Sequence, residues 1–600
     1  MTSNDRFRPV AQLDDRKLLD EAQRLGIETR YIDAGGRERE VDLGTVRRVV
    51  DVLSNAQTNA PSLSLPASRP AAAFTGRFER VWGLAVQLYG VRSARNWGHG
   101  DFTDLSQLLE VAAARGAAAI GVNPLHALFD DQPDRPSPYS PNSRLFLNPL
   151  YIDVERIPFF PGLGAAGLHD SVAALREPEL IDHAGVTAAK LAALKIAHDA
   201  FRRSADASQR NAFASFCRSR APELSRFAAF ECLRRQQRNP WWEWPAQWRV
   251  PDDVALAQLR RDHDQEIEFH EFVQWIAHVQ LDACAQRARR LGLPIGLYLD
   301  IAVGVDPAGF DAWNDQAAIL REFAIGAPPD LFNPAGQNWG LAGFNAVGLS
   351  AADFAPFRAI LRAAMRYAGA IRLDHVLGLK RLYVIPAGFT AEQGAYLRLP
   401  FEHLLELVAE ESRAHSCVVI GEDLGTVPEG LRETVAKWGI WRYHVLIFER
   451  GPDGSFVAPS AYARDALVTN STHDLPTFAG WCRGADLQLR QELGLEAGET
   501  EAERARARSA LGNALAQQGL APLRFRSVVE FMSATPARLL MLSAEDILGL
   551  TDQPNVPGTT VQHPNWRRRL PIDLADFARL DELAQIAELL KLRGRGSVGA

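Results

Sequence analysis

Residues 369–379 read GAIRLDHVLGL: a short apolar run, then an arginine, an acid and a histidine, with more apolar residues close behind. A short apolar run followed by a polar or acidic residue with Gly or Pro, and then an amphipathic stretch, recurs at AAAIGVNPL (117–125), LPIGLYLDIAV (293–303), CVVIGEDLG (417–425) and ALVTNSTHDLP (466–476). A buried strand that ends in polar residues and leads into a helical stretch is the repeating unit of a parallel α/β fold. In a barrel of such units the functional groups collect at the C-terminal strand ends. Three of these segments end in an acid, at Asp374, Glu422 and Asp474, spaced 48 and 52 residues apart.

Working outward, residues 12–55 predict a small helical unit. Leu13, Leu18, Leu19, Ala22 and Leu25 fall at helical spacing, and VDLGTVRRVVDVL repeats the pattern after Gly35-Gly36. Residues 56–75 are rich in Ala, Ser and Pro without periodicity, which predicts a linker. The expected organisation is a helical N-terminal domain over 1–55, the linker, and a catalytic barrel over 76–600. That last span far exceeds a bare barrel of roughly 250 residues, so it needs large insertions. The mostly helical stretches at about 153–290 and 483–545 are the candidates.

Composition narrows the function classes. Of 600 residues 47% are hydrophobic and 23% charged, as in an ordinary globular protein and unlike a disordered or collagenous chain. Lys and Arg total 66 against 73 Asp and Glu, a net charge of −7 that gives no electrostatic footprint for nucleic acid or an anionic membrane. The N-terminus is polar, and no run approaches the ~18 apolar residues of a membrane span. The five cysteines are scattered without C-x-x-C pairing, which fits a reducing compartment and a cytoplasmic protein.

Several motifs stay weak on inspection. Gly162-Leu-Gly164-Ala-Ala-Gly167 matches G-x-G-x-x-G but lacks the βαβ context that dinucleotide binding needs, so a tight loop is expected. His263, His270 and His278 share one stretch, yet their spacing is poor for zinc. Arg567-Arg568-Arg569 reads as a solvated or ion-paired surface. No metal and no cofactor are expected.

The three acids carry more. Side chains alternate along a strand, so Arg372 shares a face with Asp374 and favours its ionised form, as a nucleophile needs. Glu422 leaves a buried strand between glycines, where partial desolvation raises a carboxyl pKa and suits a proton donor. Asp474 follows His473 in a polar turn. Taken singly, a structural Arg–Asp pair, a helix-capping acid and a turn acid are the plain alternatives. Taken together, carboxylates on neighbouring strands facing one cavity are what glycoside chemistry requires.

In these settings and this order, Asp374, Glu422 and Asp474 resemble the triad of the α-amylase superfamily. More narrowly, the chain resembles the 4-α-glucanotransferases, or amylomaltases. The resemblance spans about 80–571 and rests also on SPYSPNSRLFLNPLYID (137–153), WWEWP (241–245), GAPPDLFNPAGQNWG (326–340), GEDLGTVP (421–428) and NVPGTTVQHPNWRRRLP (555–571). It implies a (β/α)8 TIM barrel with inserted subdomains and without a C-terminal β-sandwich, and residues 572–600 read as helical instead. It implies Asp374 as nucleophile, Glu422 as general acid/base and Asp474 as transition-state stabiliser. Arg372 and His473 would support the bound sugar, His375 would join them or orient Asp374, Tyr139 would stack on the donor sugar with Ser137 nearby, and Asp300 and Asn555 would contact it. Gln337 and Trp339 would lie on a loop closing the acceptor side. The implied partners are maltooligosaccharides and glucose. A hydrolase with the same three acids and a non-catalytic glucan-binding protein are the rival readings. Many members read Gly-Asp-x-Pro where this chain has Leu299-Asp300-Ile301-Ala302.

Overall fold

In the computed structural model, which describes residues 14–33, 35–55, 71–330, 333–520 and 522–596, the apolar runs become eight parallel strands. They are β1 (Val81–Val86), β2 (Ala119–Val122), β3 (Gly296–Ile301), β4 (Ala370–Leu373), β5 (Val418–Gly421), β6 (Arg442–Val445), β7 (Ala466–Thr469) and β8 (Leu539–Ser543). Each pairs with its neighbour in sequence, and β8 returns to pair with β1. The ring closes where Ile420 of β5 bridges Trp441 just ahead of β6, and Gly421 N–H donates to the Trp441 carbonyl at 2.9 Å. This is a (β/α)8 barrel.

The strands are short and almost wholly apolar because both faces are covered. One buried cluster draws on every strand, with Val81, Ala119, Tyr298, Ala370, Ile420, Leu467 and Met541 among its members and Tyr443 packed against it. Gly83 and Gly121 make room for the largest of these. A Cβ on Gly83 would lie 2.7 Å from Met541 Sδ, and one on Gly121 would lie 2.8 Å from the Tyr298 ring. Such a packed interior fills the barrel below and leaves the chemistry to the strand ends above.

The long insertions leave from those ends. After β2 come a short hairpin (His126–Ala127 with Ser143–Leu147) and helices including His183–Ser204, Ala207–Ser219 and Glu223–Gln237. The 27-residue helix Asp264–Arg290 then packs on helix Phe102–Ala114 and on β3, as part of the barrel's own outer layer. Helices Ala485–Glu492, Glu501–Gln517 and Phe525–Ser533 lie between β7 and β8. The chain ends in helices Leu574–Arg579 and Asp581–Leu592.

A second, antiparallel sheet stands over the rim. Its order is Ile27–Glu28, Ala395–Arg398, Arg381–Pro386, Ile319–Ala327 and Gln337–Phe344, so it combines segments following β3 and β4 with the N-terminal region. That region is therefore not helical alone: helices Asp15–Arg24 and Leu43–Asn55 flank three short strands, one of which joins this sheet. Leu18, Ala22, Leu25, Val46, Val49 and Val50 bury against Phe323, Ile325, Leu382 and Val384 of the sheet. Leu19, counted above on the apolar face, is 39% exposed because the Leu18–Ala22–Leu25 stripe meets the sheet instead. The expected linker lies largely outside the described residues, as does Leu13. From Ala71 the chain is described, and Ala73 N–H donates to the Trp438 carbonyl at 2.8 Å.

The weak motifs resolve locally. Gly162 (φ 94°) and Gly167 (φ 68°) bracket the one-turn helix Leu163–Ala166, both in conformations that favour glycine. The three histidines part company: His263 precedes the long helix, His270 is buried, and His278 contacts the Tyr367 hydroxyl at 2.7 Å. Ligand atoms of His263, Cys232 and Glu266 lie within 4.8 Å of one another, although the thiol already donates to Glu266 at 3.4 Å. Among the described residues no helix is long and apolar enough to cross a membrane.

Candidate active site

Register sets the centre of the site. Arg372 on β4 lies opposite Asp300 on β3 and Ile420 on β5, so its guanidinium sits among the acids at the strand ends. Its Nη1 is 3.0 Å from both Asp300 oxygens and 2.8 Å from Asp374 Oδ1, and Nη2 is 3.9 Å from Glu422 Oε2. Beneath it the Tyr443 ring centroid lies 5.6 Å from Cζ. Burial alone would depress the guanidinium, but Asp300 and Asp374 push its pKa well above the usual arginine value, so the cation is permanent.

Glu422 is held differently. His375 has φ 50°, a left-handed conformation that is strained for a side-chain-bearing residue. In that conformation its N–H donates to Glu422 Oε2 at 2.9 Å, while Leu424 N–H donates to Oε1 at 2.7 Å. Burial nevertheless dominates: with the Asp374 charge adding to it, Glu422 is raised to about 7 against the pull of Arg372. A carboxyl tuned to neutrality beside a carboxylate held by a guanidinium is how two like groups divide acid and nucleophile roles.

The third acid faces the same space from the turn after β7. Asp474 Oδ2 lies 3.3 Å from His473 Nε2, and Asn555 Nδ2 donates to Oδ1 at 2.6 Å. Burial would raise Asp474, but the charge and hydrogen bond of His473, helped by Asn555, hold it below the ordinary carboxylate value. His473 moves up in turn, its burial outweighed by Asp474.

The aromatic wall completes the pocket. Tyr139 donates to Asp300 Oδ2 at 2.5 Å, and its ring stacks on His473 with centroids 4.4 Å apart. Trp566 lies against both rings, at 5.5 Å from Tyr139 and 5.4 Å from His473. At the rim, Trp339 meets His375 edge-on at 5.2 Å and donates to Gln337 Oε1 at 3.2 Å. A register shift between Asn338 and Leu341, with Gly340 at φ 68°, puts this irregularity beside Trp339; bulges of that kind re-aim side chains. Ser137 attaches less directly, through an Oγ that accepts from Tyr139 N–H at 3.3 Å. Leu331 and Phe332 of the same loop lie outside the described residues.

The twelve residues singled out in the sequence thus form one chain of contacts. Sequence reasoning missed Trp566, Tyr443 and Gln553, whose Nε2 donates to the Asn555 carbonyl at 2.6 Å and so sets the Asp474 partner. Trp566 lay within a quoted segment, and its φ of 59° marks it as a held position, but backbone strain leaves no mark on sequence. Glu545 and Asp546, just past β8, also line the pocket. Burial raises them to about 7 and about 6 respectively.

The sequence model described as 4-alpha-glucanotransferase matches residues 86–574. The chain belongs to the 4-α-glucanotransferase family. Among named relatives, the 4-alpha-glucanotransferase of Mycobacterium tuberculosis is 37% identical over 545 residues, covering 85% of this chain and 75% of the relative. That of Haemophilus influenzae is 34% identical over 534 residues, 83% of this chain and 76% of the relative. The amylomaltase structure from Corynebacterium glutamicum aligns over 96% of this chain and 99% of its own, at a TM-score of 0.81 and 26% identity. The 4-α-glucanotransferase activity is the transfer of α-1,4-glucan segments between chains.

Proposed function

We propose that this 4-α-glucanotransferase works by a retaining double displacement with Asp374 as nucleophile, Glu422 as acid and base, and Asp474 as electrostatic stabiliser. The observation that carries it is the split between two neighbouring carboxyl groups: Glu422 raised to about 7 and Asp374 held at 2.8 Å by Arg372. Glu422 gives its proton to the glycosidic oxygen while an Asp374 oxygen bonds to the anomeric carbon, and the reducing-end fragment leaves as an alcohol. The 4-hydroxyl of an acceptor glucan or glucose then attacks the same carbon. Its proton passes to Glu422, the bond to Asp374 breaks, and an α-1,4 link is restored. Positive charge grows on the ring in both transition states, and the low-lying carboxylate of Asp474 faces it in a site that needs no reorganisation. Tyr139 offers the donor sugar an aromatic face. Gln337 and Trp339 border the acceptor side, where a packed indole favours a sugar over water. The reading includes maltooligosaccharides as substrates and a cytoplasmic setting.

The test is incubation with maltotriose alone, with products resolved by length. A ladder of longer maltooligosaccharides plus glucose at constant reducing ends is the expected result. Rising reducing ends with only shorter products would make the open-acceptor hydrolase the better account. Asp374→Ala should abolish turnover while glucan binding persists, and unaffected turnover would remove Asp374 from the site.

A further inference from the structure

A second cavity, of about 380 Å³, lies on the outer side of β3. It opens between helices Asp264–Arg290 and Ala355–Met365, the hairpin strand Ser143–Leu147 and the end of helix Ala207–Ser219. Leu299 and Asp300 line both this cavity and the one beside Tyr139, Arg372 and His473, so the two meet at β3. Its size falls in the range of about 300–1,000 Å³ typical of small-molecule sites.

Its charge is lopsided. Five arginines line it: Arg144, Arg220, Arg358, Arg362 and Arg366. Two are already answered, since Arg358 and Arg362 pair with Glu411 at 2.7 and 2.9 Å, and Arg358 also with Glu410. Arg144 is paired with Asp311 but keeps a free nitrogen, and Arg220 and Arg366 have no acidic partner among the described residues. Arg144 is buried and spends Nε on Asp311 and Nη1 on the Val303 carbonyl, leaving Nη2 buried without a partner. Among the described residues Arg366 gives one hydrogen bond, to the Arg362 carbonyl, and lies over the Tyr367 ring. Among the described residues the Arg220 guanidinium lies over the Phe216 ring, at 5.7 Å, and has no carboxylate partner. Glu223 is the one acid of the lining besides the engaged Asp300, and Asp282 lies beyond Tyr367. Guanidinium N–H groups left without acceptors in one cavity favour an anion with several acceptor oxygens, which can satisfy the forks. Between the arginines the walls are apolar or aromatic, from Leu145 and Leu147 to Ala359 and Tyr367.

We propose that this cavity is a binding site for a small organic phosphate, a phosphomonoester on a ring-sized body, separate from the glucan cleft. Three incompletely used guanidiniums match the three terminal oxygens of such a group, and the apolar walls take the body. The body is needed because the arginines ring a space far larger than a bare phosphate fills.

Calorimetric titration of the full chain with adenosine 5′-monophosphate and with glucose 6-phosphate tests it, beside inorganic phosphate and glucose. At least one ester should bind once per chain, at least tenfold more tightly than inorganic phosphate, and more weakly as salt rises. The double variant Arg220→Gln, Arg366→Gln should weaken that binding at least tenfold while leaving maltotriose disproportionation and the melting temperature unchanged. In an Asp374→Ala background, saturating maltotriose should leave the ester affinity unaltered. The proposal is overturned if neither ester binds, if inorganic phosphate binds as tightly, if the double variant binds like the parent, or if maltotriose displaces the ester.

Discussion

A glutamic acid that ionises near neutrality gives the proposed catalytic centre a pH signature that can be worked out in advance. Glu422 is raised to about 7, so it is protonated below that value and able to donate. The rate of the first, bond-breaking step should therefore fall as pH climbs through about 7, each unit beyond costing roughly tenfold. In Glu422→Gln that limb should vanish with the activity; a parent limb near the ordinary glutamate value of about 4.5 would show the group is not tuned by burial. Linkage gives the same sign for the fold. Because the folded chain holds a proton that the unfolded chain loses near the ordinary glutamate value, Glu422 weakens the fold as pH rises from about 4.5 towards 7. Denaturant melts at pH 5 and 8 should show a smaller loss in Glu422→Gln than in the parent. Asn555 offers a separate test, since it donates at 2.6 Å to an ionised Asp474. A hydrogen bond to a charged group contributes about 1.5–3 kcal/mol, so Asn555→Ala should lower kcat by roughly 10- to 100-fold with KM little changed. An effect confined to KM would make Asn555 a binding contact only.

The rim sheet is the element through which distant residues reach this chemistry. Gln337 and Trp339 sit on its last strand, and its reverse face is covered by the N-terminal helices through Leu18, Val46 and Val50. Arg381 of the same sheet pairs with Glu28 at 2.5 Å and stacks on Tyr396 at 3.8 Å, tying the N-terminal strand in place. Trp339→Ala removes the indole against His375, and the ratio of hydrolysis to transfer in the maltotriose assay should rise severalfold. An unchanged ratio would free Trp339 of any part in excluding water. Truncating the support should act more softly: Leu18→Ala in a fully buried position costs about 2–5 kcal/mol. Hydrogen exchange should then speed up in Arg381–Pro386 and Gln337–Phe344 while β4 and β5 stay protected. Uniform acceleration would mean the sheet and barrel open as one unit. This element was also where the sequence said least. Its strands come from three separate places, and residues 27–28 are too short to show an alternating pattern, so helical periodicity on either side dominated the reading.

Across the whole molecule, legibility followed locality. GAIRLDHVLGL and CVVIGEDLG each carry strand, acid and neighbour within a dozen residues, so both their elements and their chemistry could be read directly. The pairing of Asp474 with Asn555, the wedge of Trp566 behind Tyr139 and the arginine-lined cavity each join segments far apart in the chain. No local pattern encodes those contacts. The same holds for the barrel's closure at its floor, where the C-terminal tail turns back under the strands. Arg595 is fully buried and forms no carboxylate pair among the described residues. It donates instead to the carbonyls of Ser533 at 2.9 Å, Thr535 at 2.7 Å, Ala537 at 2.8 Å and Val81 at 3.3 Å, joining the segment before β8 to the start of β1. Burial lowers its pKa to about 9, which leaves it a cation at neutral pH, and the four carbonyls take the place of its water. Arg595→Ala would strand them in the interior, and each buried group left unpaired costs about 1–3 kcal/mol. The variant should therefore lose at least about 3 kcal/mol of stability, with kcat and KM unchanged at temperatures where it stays folded, because the floor and the catalytic rim lie at opposite ends of the strands. Arg595→Lys, with fewer donors, should recover only part of the loss. Equal stability of all three proteins in denaturant would show that water takes over those carbonyls, and that the tail adds nothing to the β8–β1 pairing.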